Sequence, residues 1–204
     1  MKYGYFFLLI AAVALAVVIA VALSVLHDGL SARAKPSALE MAIARSARRM
    51  ATPAKAESAK NPIVDSPEVQ QQARLHFADH CAICHGNDGS GDTMIGRGLY
   101  PKPPDLRAAE TQNLSDGRLF WIIENGIRLT GMPAFAGSAV DHGTETSWKL
   151  VYFIRHLPAL TTEERLEMEK YNPKGPDDRK EEQEEEDFLN GAPAKPNSGT
   201  AHHH

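Results

Sequence analysis

The chain has 204 residues, 43% of them hydrophobic, with a net charge of −4. That is enough for one domain of ordinary size with flanking segments. No basic stripe runs through it, which excludes nucleic acid as a partner.

The first 26 residues contain an apolar run from Tyr5 to Leu26 with no charged residue. As a helix, 22 residues rise about 33 Å, which matches a bilayer core of about 30 Å. A secretory signal needs only about 7–15 apolar residues, so length favours an uncleaved anchor. The rival reading is a cleaved signal, because Ala32-Arg33-Ala34 has the small-x-small form of a cleavage site. Flanking charge is nearly balanced and gives no orientation.

Next comes an Ala-rich stretch between Pro36 and Pro53 in which Leu39, Ile43, Ala47 and Met50 recur at helical spacing. It predicts an amphipathic helix. Packing of that stripe on the chain's own domain is the favoured expectation; a lipid surface is the alternative. Asn61 to Pro67 reads as a linker.

Ser66-Pro67 opens a predicted helix over Val69–Ala82, with Ala73, Phe77 and Cys81 four apart on one face. Gly86 to Asp105 is a Gly- and Pro-rich loop. Ser115 caps a short helix over Asp116–Glu124, which Asn125-Gly126 ends. Ile127 to Ala139 is loop, and Thr146 to His156 is an amphipathic helix stopped by Pro158. Thr162 is expected to cap a further helix through Lys170. The acidic run Glu181–Asp187 and the Pro/Ser/Gly end after it predict a disordered tail. No strand-like alternation occurs in the domain, so the fold class is all-α. The expected units are a transmembrane signal-anchor (1–30), a juxtamembrane helix and linker (31–67), a compact domain (68–160) and a short helix with an acidic tail (161–204).

The two cysteines, Cys81 and Cys84, are the only ones in the chain, and His85 follows directly. The pattern C-x-x-C-H marks c-type haem attachment. Two thiols three positions apart reach the two vinyl groups on one haem edge, and the next residue places an imidazole on the iron. A thioredoxin-like pair wants a βαβ context, and a zinc site wants further ligands at matching spacing; neither is present in the sequence. A small domain of this size also gains apolar filling from such a cofactor. For the second axial position Met132 leads, held between Gly131 and Pro133 in a loop. A thioether favours ferrous iron and raises the reduction potential. Met94, His142 and His156 compete for that role. The terminal His202–His204 offer a weak copper or nickel site that nothing nearby completes.

Together these residues resemble the class I cytochrome c family, in particular its small bacterial single-haem domains, over roughly Glu68 to Leu160. In that family a small residue and an aromatic precede the first haem Cys by eight and four positions, as Ala73 and Phe77 do here. The segment Trp148–Arg155 is similar to its last helix, with Tyr152 the expected contact at the crossing of the two helices. Thr130–Phe135 resembles its distal-ligand loop. Pro101–Leu106 resembles its proximal loop, where a proline carbonyl orients the ligand His.

The resemblance implies three main helices around one covalent haem c. It implies an electron carrier rather than an enzyme, with the domain in the periplasm, where the apolar run would hold it at a bacterial inner membrane. Redox proteins would be its partners, either as a tethered shuttle or within a larger complex. The alternative is a haem sensor or enzyme with an open distal site.

Overall fold

A computed structural model describes residues 2–27, 31–32, 34–137 and 143–190, and every regular element among them is helical. In chain order the helices are α1 (Lys2–His27), α2 (Ala38–Ala51), α3 (Ala54–Glu57), α4 (Pro67–His80), α5 (Ala82–His85), α6 (Met94–Arg97), α7 (Ala109–Gln112), α8 (Asp116–Asn125), α9 (Gly143–His156), α10 (Thr162–Glu169) and α11 (Pro176–Leu189). The fold is all-α, with an apolar helix at its N-terminus.

Within α1, Gly4–Ser24 is long and apolar enough to cross a membrane, and none of it is buried against the rest of the chain. The core lies instead where α4 crosses α9. Ala73, Phe77 and Ala78 of α4 are buried against Leu150, Val151, Phe153 and Ile154 of α9. The small side chain at Ala73 lets the backbones approach, and Phe77 fills the space beyond it. Ser66 starts α4 by accepting the Val69 N–H at 3.3 Å, and Pro67 occupies the first turn, where its missing N–H costs nothing.

The aromatic of α9 that meets Phe77 is Phe153, with ring centroids 5.0 Å apart, not Tyr152 as expected. Tyr152 lies one position round the helix, and its hydroxyl donates to the Ile63 carbonyl at 2.7 Å. A one-residue step on a helix turns a side chain by about 100°, which separates the two aromatics.

The third helix of the core, α8, buries Leu119 and Ile123 and stacks Phe120 on Trp148 at 4.1 Å. Arg155 ties this arrangement together. Its guanidinium donates to the Asp116 carboxylate at 2.8 Å and to the carbonyls of Gln112 (2.6 Å) and Leu114. It thus satisfies backbone acceptors left unpaired where α7 ends, beside the start of α8.

The packed unit reaches past both ends of the expected domain. Upstream, the side-chain amide of Asn61 donates to the Trp148 carbonyl at 2.9 Å, and Ile63 packs on the core. The stretch expected to be a linker is therefore stitched to α9. Downstream, Met168 of α10 is fully buried. Thr161, not Thr162, caps α10 in a reciprocal capping box with Glu164. Arg74 of α4 reaches both Glu164 (2.7 Å) and Glu167 (2.5 Å) of that helix.

Two further expectations are corrected. The apolar stripe of α2 does not face the domain, and none of its residues is buried. The acidic run does not form a disordered segment but lies in α11. Repulsion among its carboxylates is offset by local pairing: Lys174 bridges to Glu182, and Lys180 approaches Glu184 four residues on. His142, His202–His204 and the Pro/Ser/Gly end lie outside the described residues.

Candidate functional site

The helix that opens at Ser66 does not run through to Ala82. It ends at His80, and the chain bends at Cys81 into the single turn α5. Cys81 closes the first helix by donating its N–H to the Phe77 carbonyl at 2.9 Å. Its own carbonyl then accepts from Cys84 (3.2 Å) and His85 (2.9 Å). Cys81, Cys84 and His85 are thereby held on one bent turn, seated at the end of the helix that carries Phe77. The His85 ring lies 6.5 Å from the Phe77 ring, centroid to centroid.

Burial sets the protonation of all three. It pushes the Cys81 thiol up to about 12, with the neighbouring Cys84 adding to the shift, and it raises Cys84 as well. Both sulfurs are protonated at neutral pH. A thioredoxin-type pair needs a thiol lowered toward neutrality, so this turn lacks the feature that such chemistry requires. Burial also lowers the imidazole of His85 to about 4, leaving it neutral at pH 7. Neutral imidazole is the form that binds iron. Its Nδ1 is buried with no hydrogen-bond partner among the described residues.

Among the described residues no proline carbonyl accepts from that nitrogen, although the resemblance implies one there. The Pro103 carbonyl sits against Gly91 instead, so close that a Cβ at Gly91 would lie 2.6 Å from it. Gly91 has φ +74° and donates its N–H to the His85 carbonyl at 2.7 Å. Only glycine meets both the left-handed backbone and the close approach.

A segment that reads in the sequence as plain loop covers the turn. The Thr93 hydroxyl donates to the Ile83 carbonyl at 2.8 Å and also caps α6 by accepting the Gly96 N–H at 2.8 Å. Gly96 then packs on the Cys84 carbonyl, where a Cβ would meet it at 2.7 Å. Thr followed three residues later by Gly was the available signal.

Met132 is half-buried in a loop closed by its own hydrogen bonds. The Ile127 N–H donates to the Met132 carbonyl at 3.1 Å, and the Met132 N–H donates to Thr130 Oγ1 at 3.1 Å. Thr130 in turn donates its hydroxyl to the Ile127 carbonyl at 2.7 Å. At the loop's base Gly126 has φ +64° and lies against Pro133. Gly131 packs on the Leu99 side chain. Residues 93–99 thus touch both the Cys84 turn and the Met132 loop.

Of the competing ligands, Met94 is 84% exposed. The imidazole Nε2 of His156 is engaged with Glu164 at 2.9 Å, beside Arg74. Among the described residues no group of three His, Cys, Asp or Glu side chains is placed to hold a metal ion. Two thiols and a neutral, unclaimed imidazole on one turn fit a covalent haem.

Residues 68–154 match the family model described as cytochrome C oxidase, cbb3-type, subunit III. No curated protein matches the chain.

Proposed function

Proceeding from residues 68–154 as a c-type cytochrome domain with a covalent haem c, serving electron transfer, we propose that this protein is a membrane-anchored electron carrier. Cys81 and Cys84 would form the two thioether links, and His85 and Met132 would bind the iron. The cofactor supplies a single-electron couple at its iron. Cys81 and Cys84 keep it from leaving an open site. His85 brings a neutral imidazole without first losing a proton. Met132 contributes a soft sulfur donor that holds the potential high and closes the position a substrate or gas would need. The observation that carries this reading is the bent turn itself, with two thiols and an unclaimed imidazole at the end of α4.

We infer the remaining placement from the same basis. α1 is a single-pass anchor in a bacterial inner membrane, and the domain faces the periplasm, where haem c is attached. Confinement at the membrane raises the effective concentration near membrane-bound redox partners. The description of the matching family as an oxidase subunit supports a place in a larger redox complex.

The test is spectroscopic. The oxidised protein, made in a host that installs haem c, shows the weak far-red sulfur-to-iron band, and Met132→Ala loses it while keeping its haem. Absence of the band in the unmodified protein would point to an open iron site and a sensor or enzyme instead. An intact mass without one haem would end the proposal.

A further inference from the structure

α2 is packed inside out. Leu39, Ile43 and Met50 share one face of this helix and are 70%, 61% and 80% exposed. The opposite face carries Met41, which is only 39% exposed, and Arg48, the one half-buried residue of the helix. The polar side is the one held to the domain. Glu40 accepts from the Tyr100 hydroxyl at 2.5 Å, and the Arg49 carbonyl accepts from Arg118 at 3.3 Å. At its end, buried Thr52 donates its hydroxyl to the Arg48 carbonyl at 3.0 Å. An amphipathic helix in water turns its apolar face to the core. This one presents that face outward, so the face has a different cover.

Three observations on the chain favour a lipid surface. First, only ten residues separate the end of α1 from the start of α2. Ten residues span at most about 35 Å, so α2 stays close to wherever α1 leaves the membrane. Second, Arg33, Lys35, Arg45, Arg48 and Arg49 stand against the single acid Glu40 between residues 31 and 52. That excess suits anionic headgroups. Third, Arg49 occupies the flank next to Leu39, with Arg45 one turn before it and further round toward Met41, and both are exposed. Apolar residues on one face with arginines alongside is the pattern of a helix lying in the interface plane.

We propose that α2 lies in the headgroup layer of an anionic bilayer, with Leu39, Ile43 and Met50 at the acyl boundary. This rests on the reading of α1 as a membrane span. Since Tyr100 holds the Glu40 side chain and Arg118 holds the Arg49 carbonyl, leaving Leu39, Ile43 and Met50 free of the domain, α2 then sets the orientation of the whole domain on the membrane. Tyr100 follows Leu99, the residue that packs on Gly131 beside Met132, so the Met132 loop is held at a fixed height above the lipid.

The test uses the full-length holoprotein, in which the native cysteines are blocked by haem, in vesicles of phosphatidylcholine with about 30% anionic phosphatidylglycerol. A nitroxide is placed singly on Leu39→Cys, Ile43→Cys, Met50→Cys, on Ala44→Cys off the stripe, and on Val13→Cys in α1. Its collisions with oxygen and with a water-soluble nickel complex are measured. The three stripe positions should read about 5–10 Å below the phosphates, Ala44→Cys should read aqueous, and Val13→Cys should read mid-bilayer. Aqueous readings at all three stripe positions with Val13→Cys in mid-bilayer would overturn the proposal and leave the anchor standing. Shelter of the stripe from both reagents would also overturn it, in favour of a protein partner or a second copy. An aqueous Val13→Cys would overturn the anchor, while α2 would still stand or fall on its own three readings.

Discussion

The turn bearing Cys81, Cys84 and His85 and the loop bearing Met132 are built on different principles. The turn ends a helix whose buried face makes the core, with Phe77 against Phe153 at 5.0 Å. Its geometry is therefore tied to the stability of the whole domain. The Met132 loop is closed by local hydrogen bonds and one left-handed glycine. Its geometry depends chiefly on neighbours close by in the chain. A side held globally fails only when the domain fails; a side held locally can be loosened alone.

Substitutions can separate the two. His85→Ala should have the largest effect: haem attachment in a competent host should fall nearly to nothing, read by intact mass and visible absorbance. Phe77→Ala should come next. Loss of a fully buried aromatic costs about 3–5 kcal/mol, so thermal unfolding of the holoprotein should shift strongly and the yield of haem-loaded chain should drop. Gly126→Ala forces a Cβ into a left-handed backbone against Pro133, where it would lie 2.5 Å from the carbonyl carbon. A local cost of about 1–3 kcal/mol should weaken the far-red band while haem content stays complete. Thr130→Val removes a donor and acceptor worth about 1 kcal/mol. It should alter the same band with little change in the unfolding midpoint. If Thr130→Val instead lowered the midpoint as much as Phe77→Ala does, the distinction between the two sides would be lost.

The smallest effect concerns acid. Burial raises the Glu164 carboxyl, but the Thr161 N–H, the His156 imidazole and the Arg74 guanidinium outweigh it, and the net direction is downward. A carboxyl lowered on folding stabilises the protein above its unfolded value, and that contribution disappears as pH falls through the folded value. Wild type should lose slightly more stability than Glu164→Gln between about pH 5 and pH 3, by less than about 1 kcal/mol because the pair is partly solvated. Denaturant titrations at several pH values would show it.

The cysteine turn was legible because its chemistry demands contiguous residues at one spacing. The helices α4 and α9 were legible because their apolar positions repeat with the helix, while their crossing came only from the resemblance to the family. What periodicity could not supply was phase and partner. Tyr152 and Phe153 are neighbours in sequence, and only packing decides which meets Phe77. The stripe of α2 was plain, but a stripe does not say what lies over it. Asn61 and Arg155 act through backbone carbonyls far along the chain, as in the Asn61 contact to Trp148, and such acceptors leave no trace in residue type. Along the acidic run Lys174 and Lys180 meet particular glutamates, a pairing that net charge conceals.

Met168 carries a practical consequence. The matching segment stops at residue 154, yet this side chain fourteen residues later is completely buried, and its helix supplies both carboxylates to Arg74. A fragment trimmed to the recognised family boundary would leave an open apolar socket and an abandoned guanidinium. Such a fragment should unfold at a lower temperature than one that runs through Glu169, which thermal denaturation of the two would show.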